Sequence, residues 1–222
     1  MPMAEIGEKR FETLWRRCVD SPPSPNGAAV FAELRCLYGS PDRHFHTLNH
    51  IGDCVRRVDE VARLLVDADA VELALWFHDA VYEQGAATNE RRSAAMFLAQ
   101  SAGASPVFRR RVCGLILATL HADTVRGHDR RFVVDIDLAG LGARWDEFMC
   151  KGAQIRAEFS DQTDAEFYAK QVPFLQRLQQ RPYIFATEYF RDKYEATAQD
   201  NLRRLLELRD AQAGAFPELL SP

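Results

Sequence analysis

Apolar residues recur along the chain with a period close to 3.6 residues, and hardly any segment alternates as a β-strand does. In the first stretch, about residues 4–19, one stripe consists of Phe11, Leu14, Trp15 and Cys18. The proline-rich segment 21–27 ends this predicted helix, and a second helix is predicted from Ala28 to Tyr38. The pattern therefore predicts an all-α protein.

Eight further helices are predicted from the later apolar stripes. The third begins near His50, and the fourth, from about Asp67 to Tyr82, is apolar nearly all round, as expected of a central helix. Asn89 is the predicted N-cap of the fifth helix. The remaining predicted helices cover about 105–121, 133–141, 144–159, 164–180 and 183–211. We expect a single domain over residues 1–222, with a core at about 28–142 and a C-terminal helical extension at 143–211.

One polar pair interrupts the apolar pattern of the predicted fourth helix. His78 and Asp79 stand in the middle of the run 74–82, whose other members are almost all core-type residues. Burying an ionised carboxylate without a partner costs several kcal/mol, so an opposite charge or a metal ion must compensate it. We therefore interpret this pair as the centre of a metal site.

Ligand-type side chains that could join the pair occur on two other predicted helices. His50 begins the third helix, and a later helix carries both Asp135 and Asp137. Imidazoles and carboxylates that converge from several helices are typical ligands of divalent metals. Asp137 lies on the apolar stripe of its helix, whereas Asp135 lies beside Arg131 on the more polar side. Helical phase thus favours Asp137 as the ligand and keeps Asp135 as the alternative.

Composition limits the classes of function and of partner. The net charge of -4 gives no general attraction to a nucleic-acid polymer or to an anionic membrane. No apolar run is long enough to span a bilayer and the N-terminus has no apolar signal core, so we expect a cytoplasmic protein. The five cysteines form no C-x-x-C pair and are interpreted as core residues in a reducing compartment.

The order of the candidate ligands resembles that of the HD superfamily of metal-dependent phosphohydrolases. These enzymes have an isolated histidine, then a His-Asp doublet on a buried helix, then a distant aspartate. The resemblance is closer to one bacterial subfamily, described only as predicted phosphohydrolases, and it covers about residues 30–207. The segments that carry it are 43–51, 77–82, 89–94, 135–142, 155–159, 181–185 and 195–202.

The resemblance implies an HD-type helical domain in which His50, His78, Asp79 and Asp137 bind one divalent ion. Mn, Fe, Co, Ni and Zn suit two imidazoles better than Mg does, and a second metal is left open. The resemblance further implies hydrolysis of a small phosphorylated metabolite, with a nucleotide expected, by metal-activated water. The alternatives are a non-catalytic metal-binding or ligand-binding module and a di-iron oxygenase.

Several other side chains are candidates for catalysis or substrate binding, beside Asp79 itself. Arg43 is either a phosphate-binding fork or a solvated loop residue, and His46 either contacts substrate or caps the loop. Glu83 and Glu90 are the acids nearest to the doublet and could protonate a leaving group or orient water. Glu90 is equally typical of a first helical turn.

The other candidates have two interpretations each. Tyr82 either donates a hydrogen bond to substrate or packs. His121 either approaches the ion, with His128 as the other source of ligands for a second metal, or is a helix C-terminal histidine favoured by the macrodipole. Arg156 either reaches the pocket or pairs with Glu158. Four leucines near the C-terminus pack within the protein or at a homodimer contact, namely Leu202, Leu205, Leu206 and Leu208.

Overall fold

The computed structural model describes residues 3–19, 21–121 and 125–215, and these ranges contain helices, turns and loops but no β-strand. The predicted all-α fold class is confirmed. Main-chain contacts divide the chain into two compact units, Met1–Asp137 and Leu138–Pro222. The division falls near the predicted limit of the helical core, while the single domain over residues 1–222 stays a prediction. Within the described residues, no helix combines the length and the apolar character needed to cross a membrane.

The first unit consists of α-helices joined by short turns and loops. They are α1 (Met3–Cys18), α2 (Gly27–Tyr38), α3 (Leu48–Val61), α4 (Ala68–Phe77), α5 (Asn89–Gln100), α6 (Pro106–Ile116) and α7 (His128–Leu138), whose last residue begins the second unit. Two 3-10 turns, Ala62–Leu64 and Leu117–Leu120, continue α3 and α6.

The second unit is also helical in the part that the structure describes. It begins with a 3-10 turn, Ala139–Gly142, and then contains α8 (Trp145–Ala157) and α9 (Asp164–Gln179). A one-turn helix α10 (Glu188–Phe190), a π-helical turn (Arg191–Glu195) and α11 (Ala196–Ala215) follow one another without a break. The predicted helix near 183–211 is thus a composite of these three pieces.

Side-chain caps fix where several helices begin. Asn26, Thr47 and Ser105 each accept a hydrogen bond from a main-chain N–H in the first turn of α2, α3 and α6. Asp67 does the same for α4. The prediction for α5 was wrong, because Asn89 is the first residue of that helix and its side chain bonds to the preceding loop instead.

Aromatic rings from α1, α2 and α4 form the core of the first unit. The ring centroid of Phe11 lies 5.4–6.4 Å from those of Trp15, Phe31, Trp76 and Phe77. All five side chains are buried, and burial of an apolar side chain of this size contributes about 1.5–3 kcal/mol. These contacts anchor the C-terminal half of α4 in the core, as the apolar pattern predicts.

Helix α4 ends at Phe77, before the predicted end near Tyr82. His78 keeps helical dihedral angles (φ -55°, ψ -38°), and a turn closed by the Ala80 N–H on the Phe77 carbonyl follows. The prediction was wrong because Ala80 and Val81 continue the apolar pattern beyond the point where the helix stops. The His-Asp doublet therefore lies at the C-terminal end of a buried helix.

Candidate metal centre

Three ligand-type side chains from three helices of the first unit meet at one point. His50 on α3, His78 at the end of α4 and Asp137 on α7 each offer one ligand atom, and these atoms all lie within 4.8 Å of one another. His50 Nε2 lies 3.3 Å from His78 Nε2, and Asp137 Oδ1 lies 3.2 Å and 3.4 Å from these two nitrogens. The structure thus brings together His50, His78 and Asp137, which the helical phase and the order of the motifs had indicated as ligands.

Asp79 faces the same pair of nitrogens. Its Oδ2 atom lies 2.9 Å from His78 Nε2 and 3.8 Å from His50 Nε2. The two histidines are buried, whereas the side chains of Asp79 and Asp137 retain 15% and 13% of their exposure. The cluster is therefore a buried pair of imidazoles approached by two carboxylates that solvent can reach.

The orientation of His78 is set by its own helix. Its Nδ1 atom lies 2.8 Å from the Leu75 carbonyl oxygen, which accepts hydrogen bonds and donates none, so Nδ1 carries the proton. In the neutral ring, Nε2 then holds a lone pair that is aimed at His50 and the carboxylates. Metal-binding histidines usually have this arrangement, in which a main-chain carbonyl fixes the tautomer.

Opposite charges fix the ionisation of the cluster. Burial alone raises the pKa of Asp137 and of Asp79, but the neighbouring histidines, His78 foremost, together outweigh it, so both pKa values lie below the usual range. Burial alone lowers the pKa of His78, but Asp79 and Asp137 outweigh it and raise that pKa well above 6.5. Burial likewise opposes the charged form of His50, yet Cys54 and Asp137 raise its pKa to about 10. Without a metal, two imidazolium rings thus face two carboxylates near neutral pH.

The charge and the spacing of this cluster both fit a divalent cation. One divalent ion in place of the two ring protons leaves the total charge unchanged, because metal-bound histidines are neutral. Metal–ligand bonds of about 2.0–2.2 Å place neighbouring donor atoms roughly 3.0–3.5 Å apart. The nitrogen and oxygen atoms of His50, His78 and Asp137 are 3.2–3.4 Å apart. This group of three side chains could therefore hold a metal ion.

The carbonyl groups at the end of α4 are bonded mostly by side chains rather than by a longer helix. The Tyr38 hydroxyl donates to the Trp76 carbonyl at 3.0 Å, and Arg43 donates to the carbonyls of Asp79 and Ala80 at 2.6 and 2.8 Å. The last carbonyls of a helix have no partner within the helix, so these donors stabilise the early stop. They fix the backbone on which Asp79 is carried.

The interpretation of Arg43 as a solvated loop residue is wrong, while its role as a phosphate fork stays a prediction. Arg43 is buried, and besides its bonds to Asp79 and Ala80 its Nη1 atom lies 3.2 Å from the His46 carbonyl oxygen. Its guanidinium carbon also lies 5.1 Å and 5.4 Å from the ring centroids of Tyr38 and Tyr82. The donors of Arg43 are directed at main-chain oxygens around the doublet.

His46 and Tyr82 form the neighbouring part of the site. Their rings stack with centroids 4.3 Å apart and planes inclined at 27°. The His46 ring also lies 6.2 Å from the His50 ring, and its charged form helps His78 to lower the pKa of Asp79 against the effect of burial. Tyr82 thus packs on His46, its hydrogen bond to substrate stays a prediction, and His46 lies within electrostatic range of the Asp79 carboxylate.

Glu83 and Glu90, the two acids predicted for catalysis beside Asp79, are both at least partly exposed. Glu83 is exposed and forms an ion pair with Arg92 at 2.7 Å. Glu90 is partly exposed in the first turn of α5, where an acid interacts favourably with the helix dipole. A catalytic role of either acid stays a prediction.

Two side chains of α5 hold the loop that follows the doublet. Asn89 accepts a hydrogen bond from the Glu83 N–H at 3.0 Å and donates to the Glu83 carbonyl at 2.8 Å. Ser93 Oγ accepts from the Val81 N–H at 3.0 Å and donates to the Val81 carbonyl at 3.3 Å. Both side chains are buried. The sequence contained a signal for this role, since the two polar residues are spaced i, i+4 on one helix face.

His121 reaches the cluster and His128 does not. His121 Nε2 lies 3.0 Å from Asp137 Oδ2, whereas His128 Nε2 lies 2.7 Å from the Leu64 carbonyl oxygen at an exposed position. The predicted pair of additional histidines is therefore not assembled. His121 joins the cluster through Asp137, in agreement with the interpretation that it approaches the ion site.

Two further predictions about individual residues are corrected. Asp135 was expected on a more polar side of its helix, yet it is fully buried. Arg156 was expected to reach the pocket or to pair with Glu158, yet its donors bind the α8–α9 connection of the second unit. The contacts of Arg156 are with Asp164 Oδ1 at 2.7 Å, the Phe159 carbonyl at 2.7 Å and the Gln162 carbonyl at 2.7 Å.

One close neighbour of the ligands was missed. Cys54 Sγ lies 3.7 Å from His50 Nε2, and the thiol is fully buried. The sequence placed Cys54 on the face of His50, one helical turn later, but gave it only a core role. An i, i+4 histidine and cysteine on one helix is the signal that could have identified this contact.

A polar cavity of about 540 Å³ lies beside Arg43 and Tyr82. Arg92 and Glu83 also line it, and these two form the ion pair already described. Both arginines in the lining thus have partners within the protein: Arg43 donates hydrogen bonds to carbonyl oxygens, and Arg92 forms an ion pair with the Glu83 carboxylate.

Comparison of the chain with protein-family models, with curated proteins and with solved structures found no significant match. Function must therefore be argued from the site and from the order of its motifs.

Proposed function

We propose that this chain is a metal-dependent phosphohydrolase that acts on a small phosphorylated metabolite, with nucleotides as the first class to test. The observation that carries the proposal is the convergence of His50, His78 and Asp137, with Nε2 of His78 directed into the cluster. The phosphoester class is supported by the resemblance of the motif order to the HD superfamily.

The proposed ligands are His50, His78, Asp79 and Asp137. A divalent ion bound there lowers the pKa of coordinated water and neutralises charge on a phosphoryl oxygen. Two imidazoles and two carboxylates favour Mn, Fe, Co, Ni or Zn over Mg, because Mg binds oxygen ligands almost exclusively.

The residues of the chain supply orientation and a proton acceptor. His78 is held by the Leu75 carbonyl, and Asp79 is held through its backbone by Arg43. The Asp79 carboxylate is a candidate proton acceptor as well as a candidate ligand, because one of its oxygens could hold the ion while the other accepts a proton from water. Its partial exposure lets substrate and water approach this oxygen.

Two measurements on one preparation test the proposal. Protein purified without chelator is analysed for metal content and then assayed for phosphate released from mono-, di- and triphosphates. We expect about one divalent transition-metal ion per chain and metal-dependent release from at least one class. The exchange Asp137→Asn should abolish both, whereas Asp146→Asn, the same change at an exposed position of α8, should change neither.

The other outcomes identify the alternatives. A tightly held ion without release from any phosphoester would indicate a non-catalytic metal-binding module. Two irons per chain with oxygen consumption would indicate an oxygenase. Phosphate release that persists in Asp137→Asn at wild-type rate would refute the assigned site.

A further inference from the structure

The two oxygens of the Asp137 carboxylate face different groups. Oδ1 lies 3.2 Å from His50 Nε2 and 3.4 Å from His78 Nε2, while Oδ2 lies 3.0 Å from His121 Nε2. An ionised carboxylate has no proton to give, so at 3.0 Å His121 Nε2–H must be the donor.

The backbone of His121 is bent so that its ring reaches this carboxylate. His121 directly follows the 3-10 turn Leu117–Leu120 and has left-handed dihedral angles (φ 53°, ψ 36°). Residues with a Cβ atom rarely adopt this conformation, for which glycine is the least strained choice. Such strain is found chiefly where the surrounding structure requires a particular side chain.

We propose that His121 is a positioning residue that makes Asp137 a one-oxygen metal ligand. By donating to Oδ2, His121 stops the carboxylate from rotating about its terminal bond and keeps Oδ1 directed at the two imidazoles. Without this hydrogen bond, the carboxylate is free to turn away or to approach the ion with both oxygens. The inference rests on the metal centre of the proposed function and is independent of the substrate.

Groups that hydrogen-bond to a metal ligand typically change metal affinity by about 10–100-fold when they are removed. We therefore expect His121→Ala and His121→Gly to raise the dissociation constant for Co²⁺ by about this factor. His121→Gln keeps an N–H donor near the position of Nε2 and should restore much of the affinity. His128→Gln removes a histidine that is bonded to the Leu64 carbonyl outside the cluster and serves as the matched control.

Calorimetric titration of the metal-free variants with Co²⁺ measures affinity and stoichiometry, and the visible spectrum of the bound Co²⁺ reports its coordination geometry. Wild type should bind about one ion, and His121→Ala and His121→Gly should share an altered spectrum. The melting temperature of the metal-free proteins separates this effect from folding. Because glycine relieves the left-handed strain, His121→Gly should melt above His121→Ala yet bind Co²⁺ no better.

Three outcomes would overturn the proposal. The first is wild-type affinity and spectrum in both His121→Ala and His121→Gly. The second is two ions in wild type and one in His121→Ala, which would make His121 a direct ligand. The third is that the Co²⁺ affinity of the variants falls in the same order as the melting temperature of the metal-free proteins. If wild type binds Co²⁺ and the His121 variants lose it while no phosphoester is hydrolysed, the positioning role stands and the proposed reaction fails.

Discussion

Arg43 donates a hydrogen bond of 2.6 Å from Nη1 to the main-chain carbonyl of Asp79, a residue 36 positions further along the chain. Together with the bond to Ala80, this contact ties the loop before α3 to the turn that carries the doublet. A buried guanidinium close to two tyrosine rings thereby supports the position of a proposed carboxylate ligand.

Removal of Arg43 should weaken both the fold and the metal site. Unsatisfied buried polar groups cost about 1–3 kcal/mol each, so Arg43→Ala should lower the free energy of unfolding by roughly 3 kcal/mol. Arg43→Lys should be intermediate, because an ammonium group cannot reproduce the planar fork. Urea unfolding of the metal-free proteins and Co²⁺ titration provide the measurements. Wild-type stability with a raised KM would instead support the interpretation of Arg43 as a phosphate fork.

The stability of the metal-free protein should fall as pH rises above neutrality. The pKa of His50 is raised from 6.5 to about 10, so its contribution is complete below pH 6.5 and is lost as pH rises towards 10. The pKa of Asp137 is lowered from 3.8, so its contribution is present above that pH and is lost in acid. The melting temperature with chelator should therefore be highest at about pH 4–6.5.

A bound metal ion should oppose the loss of stability above neutral pH. Binding displaces the two ring protons, so metal affinity increases with pH until the imidazoles are neutral. The difference in melting temperature between metal-loaded and chelated protein should widen from pH 6.5 to pH 9. A constant difference over this range would show that His50 and His78 are not protonated in the metal-free cluster.

The buried amide of Asn89 should be needed for order in the loop after the doublet. Asn89→Ala removes both hydrogen bonds to the Glu83 backbone and should cost about 1–3 kcal/mol of unfolding free energy. Hydrogen exchange at the Glu83 amide should become faster, while the exposed neighbour Arg91→Ala should leave it unchanged. Unchanged exchange in Asn89→Ala would mean that other contacts hold the loop.

The helical pattern was predictable because apolar residues at a 3.6-residue period can be recognised within each segment. The selection of Asp137 also followed from local phase. The end of α4 was not predictable in this way, since Ala80 and Val81 continue the pattern and the capping groups of Tyr38 and Arg43 come from distant parts of the sequence.

Burial of polar residues was the least predictable property. Arg43 was expected to bind phosphate or to be solvated, and Asp135 was expected on the more polar side of its helix, yet both are buried. The contact of His121 with Asp137 depends on a left-handed backbone at a residue other than glycine, for which the sequence contains no local signal. Residues that could bind a metal or take part in catalysis were therefore easier to identify from the sequence than the side chains that contact them.

The hydrogen bond from His78 to the Leu75 carbonyl has a consequence for how the protein acquires its cation. Because the Leu75 carbonyl of the same helix holds the ring of His78, the direction of its Nε2 atom does not depend on a bound ion. Loading then requires the loss of protons and little rearrangement of the chain. A protein stripped by chelator should remain folded and recover its metal within the time of mixing, unlike small zinc domains that must fold around their ion.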